Sequence, residues 1–262
     1  MGEQLLLLIR ISKPEYNKTL YDEYKVYMNP QKAFLKGGLT EGQYDKFEGA
    51  ITNVPCKLLY SVDEKKSCHV FGDTTTIYKN NYAYIYCMYG LRYDEKCYDA
   101  KYNKYTYTIP WKYIEDLWQG AGTELMVIKN TKVFVDKLKK AAEEANLIWA
   151  YGKVAYDLEG KLSDIDYFDL AMKDSFESVY HKCKERYEIQ NEVRFSVINS
   201  DRPDYVELQL EKDQTLHFDY FSLEYGRDIV IELSNLEFDK ERNVPVRFSS
   251  EIMYYESKSD IE

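Results

Sequence analysis

The segment YEIQNEVRF, residues 187–195, places an amide and a carboxylate two positions apart, directly before a run of strand-forming residues. In an extended chain residues i and i+2 point to the same side, so Gln190 and Glu192 are expected to face one cleft. A carboxylate there can hold a ribose hydroxyl and stabilise a developing oxocarbenium ion, and an amide beside it can orient an acceptor. Glu192 and Gln190 are therefore the candidate catalytic residues. The alternative role for Glu192 is an exposed carboxylate paired with Arg194 or a nearby lysine.

The usual signatures of nucleotide-binding and hydrolytic enzymes are missing from the chain. It contains no G-x-x-x-x-G-K-[ST], no G-x-G-x-x-G, no G-x-S-x-G and no H-E-x-x-H. No metal site is predicted from ligand spacing. A metal-dependent hydrolase stays open as an alternative in which Asp45, Glu48 and Glu192 would converge around a cation.

The Q-x-E spacing of residues 190–192 resembles the third motif of ADP-ribosyltransferases, written E-x-E or Q-x-E, which sits on a turn entering a core strand. The longer run 187–195 is similar to a Y-x-x-Q/E-x-E-x-R-F run in uncharacterised bacterial and phage families. Other family-like pieces precede it in order, namely Phe47-Glu48-Gly49 after Asp45, a strand ending in Cys87, and Val154-Ala155-Tyr156-Asp157.

This resemblance implies an ADP-ribosyltransferase-like fold with a cleft between two small sheets, and NAD as the substrate bound there. Arg10, at the end of the first strand, would hold the pyrophosphate, and its alternative role is a solvated strand end. The residue that contacts the nicotinamide ribose would be Thr75, in a threonine run, or Tyr84 or Tyr86 on the aromatic strand.

In the same resemblance Glu192 would stabilise the cationic transition state and Gln190 would position the acceptor. The acceptor would be a macromolecule, a protein in preference to a nucleic acid. A chain of this kind would suit a toxin, an effector or a phage-borne modifier. The sequence leaves the oligomeric state open.

The elements that must position these residues are short strands with clustered helices, a pattern that favours an α+β fold over a doubly wound one. We expect mixed or antiparallel strands in two small sheets within a single domain of residues 1–256, followed by a frayed tail, 257–262. The main expected elements are strands at 4–12, 82–89, 125–128, 148–156, 193–198, 205–210 and 228–233, with helices at 109–118, 131–146 and 164–187.

Composition narrows the setting of the protein. The 262 residues carry a net charge of −10, which disfavours a general nucleic-acid binder because phosphate backbones repel it. The five cysteines form no C-x-x-C pair, so reduced thiols in the cytoplasm are expected. The apolar run Leu5–Ile9 is too short for a membrane span, which needs about 20 residues.

A second functional hypothesis starts from the 27 tyrosines. Tyrosine is enriched at protein interfaces because its ring packs while its hydroxyl stays hydrated. The chain could therefore be a non-enzymatic binding module of a phage or a defence system that uses a tyrosine-rich surface.

Overall fold

The protein is described by a computed structural model over residues 4–35, 50–55, 74–78, 83–118, 122–156, 179–182, 191–201, 203–239, 241 and 244–256. Its helices and strands in chain order are β1 (Leu5–Ser12), α1 (Pro14–Tyr21), β2 (Lys25–Pro30), β3 (Ala50–Pro55), β4 (Thr74–Tyr78), β5 (Ala83–Arg92), β6 (Tyr98–Asp99), β7 (Lys104–Ile109), β8 (Glu124–Ile128), α2 (Thr131–Glu144), β9 (Ile148–Lys153), β10 (Ala155–Tyr156), β11 (His181–Lys182), β12 (Glu192–Ile198), β13 (Val206–Gln209), β14 (Phe218–Ser222), β15 (Arg227–Asp239) and β16 (Val244–Glu256).

The fold is α+β and its strand pairings are mostly antiparallel, as the sequence predicts. The chain divides into two compact units: unit 1 comprises residues 1–25, 88–137 and 210–262, and unit 2 comprises residues 26–87 and 138–209. Strands β2 and β5 and helix α2 each contribute residues to both units. Because each unit is built from separated segments, no composition shift along the sequence marks a boundary between them.

Unit 1 is organised around β1, which pairs antiparallel with β8 on one side and with the end of β5 on the other. β8 in turn pairs antiparallel with β14. A second antiparallel sheet has the strand order β16-β15-β7-β6. Leu6, Leu7, Leu8 and Ile9 of β1 are all at most 1% exposed, which explains why this strand reads as an uninterrupted apolar run.

The core of unit 1 contains buried side chains from both of its sheets and from the segment around Trp111. It consists of Leu6, Leu7, Ile9, Leu91, Tyr105, Ile109, Trp111, Ile114, Leu125, Val127, Leu223, Ile229, Ile231, Leu233 and Leu236. Each of the larger aliphatic side chains contributes roughly 1.5–3 kcal/mol by leaving water, so this cluster is sufficient to order the strands around it.

Unit 2 contains the strand order β13-β2-β5, and β12 pairs with both β5 and β9. The pairing of β12 with β9 is antiparallel and regular over six residue pairs, from Val193↔Lys153 to Ile198↔Ile148. β3 and β4 form an antiparallel ribbon. β10 and β11 pair in parallel, Ala155 with His181 and Tyr156 with Lys182, so the segment 179–182 runs beside the chain that continues from β9.

The predicted strands at 4–12, 82–89, 125–128, 148–156, 193–198, 205–210 and 228–233 and the helix at 131–146 are confirmed, with shifted ends. At 109–118 the chain forms two short 3-10 helices, Trp111–Tyr113 and Glu115–Leu117, in place of one helix. The helix expected at 164–187 is wrong at residues 181–182, which form β11; most of its remainder and the tail 257–262 lie outside the described residues. Among the described residues, no helix combines the length and apolarity that crossing a membrane would require.

Candidate functional site

β12 is a strand that water does not reach. Glu192 to Val197 are all buried, because β9 and β5 flank the strand in the sheet. Alternation puts the apolar Val193, Phe195 and Val197 on one face and the polar Glu192, Arg194 and Ser196 on the other. Three consecutive polar positions on one buried face require polar partners, since an unsatisfied buried polar group costs about 1–3 kcal/mol.

An ion pair within the strand satisfies the first two of these residues. Arg194 Nε donates to Glu192 Oε1 at 2.7 Å, and the two side chains are only 1% and 6% exposed. Arg194 Nη1 also donates to the carbonyl oxygen of Val179 at 2.5 Å. Charge-assisted bonds of this kind are roughly twice as strong as neutral ones. The Glu192 carboxylate is therefore held in a fixed position at the start of the strand.

Two tyrosines cover the polar face of β12. The backbone N–H of Glu192 donates to Tyr156 Oη at 3.3 Å, and Tyr180 Oη lies 2.5 Å from Ser196 Oγ. The Tyr180 ring passes over Gly152, whose missing Cβ would lie 3.5 Å from Tyr180 Cδ1. The parallel pairing of β10 and β11 holds both tyrosine-bearing segments beside the strand.

Burial keeps both phenols protonated. It raises the pKa of Tyr156, and the nearby negative charge of Glu192 raises that pKa further. Burial raises the pKa of Tyr180 to about 12, although the hydrogen bond with Ser196 acts in the opposite direction. At neutral pH both tyrosines therefore remain hydrogen-bond donors. Cys87 of β5 is half-buried, and a negative charge on its thiol would raise the pKa of both phenols.

We call this set of side chains the β12 polar cluster, and its members are Cys87, Tyr156, Tyr180, Glu192, Arg194 and Ser196. It offers one fixed carboxylate, one guanidinium, two protonated phenols, a hydroxyl and a thiol. Such a set can hold a polyhydroxylated ligand and place a negative charge against a positive one that develops during a reaction.

The structure places the other predicted residues as follows. Arg10 is half-buried on β1 in unit 1 and pairs across the sheet with Met126. Thr75 lies on β4 and pairs with Val54, and its side chain lies outside the described part of the structure. Gln190, Asp45 and Glu48 also lie outside the described residues. The roles predicted for these residues stay predictions.

Tyr84 and Tyr86 are both 3% exposed on β5, but they do not join the β12 polar cluster. Ala83, Ile85 and Cys87 share a core with Val179 and Tyr180, so the intervening tyrosines point to the opposite face of the sheet. The hydroxyl of Tyr84 donates to the Pro203 carbonyl oxygen at 2.5 Å. The tyrosine that the structure brings to Glu192 is Tyr156.

The sequence reasoning missed Tyr156, Tyr180 and Ser196 as partners of Glu192. Two signals were available. Ser196 follows Glu192 at an even spacing on a strand, so both must share a face. Tyr156 stands in the segment 154–157, which is one of the family-like pieces that precede Q-x-E in the sequence. Tyr180 left no signal, because its position depends on the pairing of β10 with β11.

Within the described ranges, no group of three or more His, Cys, Asp or Glu side chains is arranged to hold a metal ion. Comparison with protein-family models, with curated proteins and with solved structures finds no match to this chain. A function for the chain must therefore be inferred from the geometry of the β12 polar cluster.

Proposed function

We propose that the chain is an NAD-dependent ADP-ribosyltransferase-like enzyme that modifies a macromolecular target, and that it has the corresponding fold. The observation that carries this proposal is the Glu192 carboxylate, which is buried at the start of β12 and fixed by Arg194 Nε at 2.7 Å. Preorganised charge stabilises a transition state most effectively in a water-excluded site, because it needs no reorganisation during the reaction.

In the proposed reaction, the bond between C1′ of the ribose and the nicotinamide nitrogen breaks, and its electron pair leaves with nicotinamide. The positive charge that develops on the ribose is stabilised by Glu192. A nucleophile of the target then bonds to C1′ and releases its proton. Gln190 positions this acceptor, which is a protein side chain in preference to a nucleic-acid group because the chain carries a net charge of −10.

The remaining roles divide between residues predicted from the sequence and one found in the structure. Arg10 holds the pyrophosphate, and Thr75 stays a candidate for contact with the nicotinamide ribose. Tyr156 takes over the role first considered for Tyr84 or Tyr86, because its protonated hydroxyl lies beside the backbone of Glu192. It can donate a hydrogen bond to a ribose hydroxyl or to the nicotinamide carboxamide.

The test is incubation of the purified protein with labelled NAD and cell lysate. We expect the wild type to release nicotinamide and to label a target. Glu192→Gln, compared under conditions in which circular dichroism shows that it is folded, should lower the rate by about 10²–10³-fold, as loss of one preorganised electrostatic group does. The measurement is nicotinamide release by chromatography together with label on protein and nucleic-acid fractions.

Glu124→Gln is the matched control for this experiment. Glu124 is also a buried glutamate, 8% exposed, and its Oε1 accepts one hydrogen bond from Asn17 Nδ2 at 3.0 Å. The same isosteric change there should leave the rate of NAD cleavage unaltered. Failure of the wild type to bind NAD, and to release nicotinamide with any lysate, would rule out the proposal.

A second candidate function is recognition of a protein partner through exposed tyrosines. Six of the eight exposed large hydrophobic side chains in the described part of the chain are tyrosines, namely Tyr16, Tyr102, Tyr151, Tyr205, Tyr220 and Tyr225. Exposed tyrosines supply interface contacts at little entropic cost, because only two side-chain torsions are immobilised.

A binding module and an enzyme respond differently to the same substitutions. If the protein is a binding module, its complex should tolerate Glu192→Gln and should lose roughly tenfold in affinity when Tyr151→Ser and Tyr205→Ser remove contact tyrosines. Isothermal titration with the isolated partner measures both effects. A complex that is insensitive to every exposed tyrosine would exclude this candidate.

A further inference from the structure

Three aromatic rings of unit 1 meet at one place on its surface. Trp111 and Trp118 have ring centroids 5.6 Å apart and planes inclined by 67°. Tyr225 lies 5.1 Å from Trp111 and 5.9 Å from Trp118, at 65° and 62°. We call these three rings the aromatic corner, because the plane of each ring is steeply inclined to the planes of the other two.

The local fold fixes the two indoles. Trp111 begins one 3-10 turn and Trp118 directly follows the next, with the N–H of Trp118 donating to the Glu115 carbonyl oxygen at 3.0 Å. Ile114, between the two turns, is fully buried and anchors them in the core. The N–H of Trp111 donates to Asp228 Oδ1 at 2.7 Å, which joins this segment to β15.

Exposure differs among the three rings. Trp111 is 7% exposed and belongs to the core of unit 1, Trp118 is half-buried, and Tyr225 is 74% exposed. Tyr225 occupies the turn between β14 and β15 beside Gly226, whose φ of +73° allows the tight reversal. A large aromatic side chain kept in water next to two tryptophans is available for a ligand.

The shape of the corner selects the kind of group that fits it. Sugars and nucleobases stack on flat aromatic platforms, whereas three mutually inclined faces suit a compact, rounded group. A group placed about 3 Å above the centre of the triangle of ring centroids would lie within about 5 Å of all three, inside the roughly 6 Å range of cation–π attraction.

Charge favours a cation in that position. Two negative residues, Glu115 and Asp116, lie between the two tryptophans in the sequence, and Lys112 is the single positive residue there. Residues 111–118 therefore carry a net charge of −1. Residues 224–228 also carry −1, since Arg227 is paired with Glu224 and Asp228 remains in excess. The ring faces are themselves negative because of their quadrupoles.

We propose that the aromatic corner formed by Trp111, Trp118 and Tyr225 binds a quaternary or methylated ammonium group that carries no attached anion. Methyl groups spread the positive charge and lower its hydration, so such a cation leaves water at less cost than a bare ammonium and contacts all three faces. This site lies within unit 1, and the proposal holds whether or not the chain cleaves NAD.

The test uses the tryptophans themselves as reporters. In a Trp149→Phe background of the full chain, tryptophan fluorescence, excited at a wavelength that tyrosine does not absorb, comes only from Trp111 and Trp118, because the chain has three tryptophans. Titration with choline should quench or shift this fluorescence with saturation. The neutral isostere 3,3-dimethylbutan-1-ol should bind at least about tenfold more weakly, since only the charge differs. Phosphocholine should also bind more weakly than choline, because its phosphate meets the surrounding carboxylates.

Variants of Tyr225 locate the site. Tyr225→Ala should weaken choline binding by roughly 2- to 30-fold, the range that one cation–π contact supplies, and Tyr225→Phe should retain binding because the ring face remains. Tyr102→Ala is the matched control, since Tyr102 is another exposed tyrosine of unit 1, 66% exposed. Circular dichroism checks that each variant is folded, which an exposed position favours.

Two results would overturn the proposal. Equal binding of choline and its neutral isostere would make the corner an apolar contact and not a cation site. A titration in which neither compound gives a saturable change would show that the three rings are closed to ligands of this size.

Discussion

Among the described residues, the largest fully buried side chain is a charged one, that of Arg194 at 1% exposure. An isolated buried guanidinium would cost many kcal/mol, so it must be neutralised where it lies. Glu192 provides the opposite charge and the Val179 carbonyl accepts a further bond. Each partner of the pair is therefore necessary for the other to stay out of water.

This dependence predicts an asymmetric response to substitution. Glu192→Gln leaves Arg194 buried without its counter-charge and should lower the free energy of unfolding by about 3–5 kcal/mol. The double change Glu192→Gln/Arg194→Met removes both charges and fills the space with an apolar chain, so it should recover most of that loss. Urea unfolding followed by circular dichroism measures both values.

An exposed ion pair is the control for that measurement. Arg247 and Glu237 lie 3.8 Å apart and are 81% and 65% exposed, so Glu237→Gln should change the free energy of unfolding by less than about 1 kcal/mol. A double variant no more stable than Glu192→Gln would contradict the predicted compensation. A folded double variant that still cleaves NAD would remove Glu192 from the proposed reaction.

The sequence was sufficient to single out Glu192 and to name Arg194 as its possible partner. The alternative role predicted for Glu192 was an exposed ion pair with Arg194, whereas the pair in the structure is buried. The burial of β12 could not be predicted locally because it depends on β5 and β9, which lie far from it in the chain. Tyr156 and Tyr180 were missed for the same reason. Both tyrosines reach the site through the parallel pairing of β10 with β11, and such pairing between segments far apart in the chain produces no recognisable local sequence pattern.

At the level of elements, local pattern and tertiary pairing explain which predictions succeeded. The helix at 131–146 was predicted because its apolar stripe repeats at helical spacing, and Phe134, Leu138 and Ala142 are fully buried. The strand β11 was predicted as helix because apolar residues upstream also recur at helical spacing. Parallel pairing with β10 overrides that preference, since it satisfies the backbone as a strand.

β16 was missed although it is thirteen residues long. Its sequence, VPVRFSSEIMYYE, interleaves charged and hydroxylated residues with apolar ones, and its strand character comes from pairing along the length of β15. A ribbon of this kind needs few buried side chains of its own. The strand pattern of β15 at 228–233 is recognisable from its own sequence, but that of β16 becomes recognisable only when the two strands are matched as a pair.

Two glycines should respond to alanine in opposite directions. At Gly152 on β9 an added Cβ meets the Tyr180 ring at 3.5–3.6 Å, an ordinary van der Waals contact. Gly152→Ala should therefore raise the free energy of unfolding by about 0.5–1 kcal/mol, since alanine loses less conformational freedom on folding. At Gly226 nothing lies within 4 Å of an added Cβ, but φ is +73°.

Gly226→Ala should accordingly destabilise the protein, by about 1 kcal/mol or more, because the backbone conformation and not the available space is unfavourable to alanine. Urea denaturation of both variants beside the wild type provides the comparison. Gly226→Asn should cost less than Gly226→Ala, since asparagine tolerates the left-handed region. Destabilisation by Gly152→Ala would indicate that the Tyr180 ring cannot give way.

At the scale of the whole molecule, the order of short strands and clustered helices predicted the α+β class, and the mostly antiparallel pairings confirm it. The division into two compact units left no trace in the sequence, because no proline- or glycine-rich linker separates them. Three of the four boundaries fall inside regular elements, at residues 25–26 of β2, 87–88 of β5 and 137–138 of α2, and the fourth lies at the end of β13. A boundary within a strand or a helix carries no compositional mark.

That interlacing limits how the gene can be rearranged. Unit 1 is drawn from three stretches of chain and unit 2 from two, so no single crossover between genes can transplant either one intact. Transfer of one contiguous gene segment would carry only part of a unit, and therefore only part of its hydrophobic core. The protein is therefore expected to diversify by point substitution and surface insertion, and not by exchange of modules.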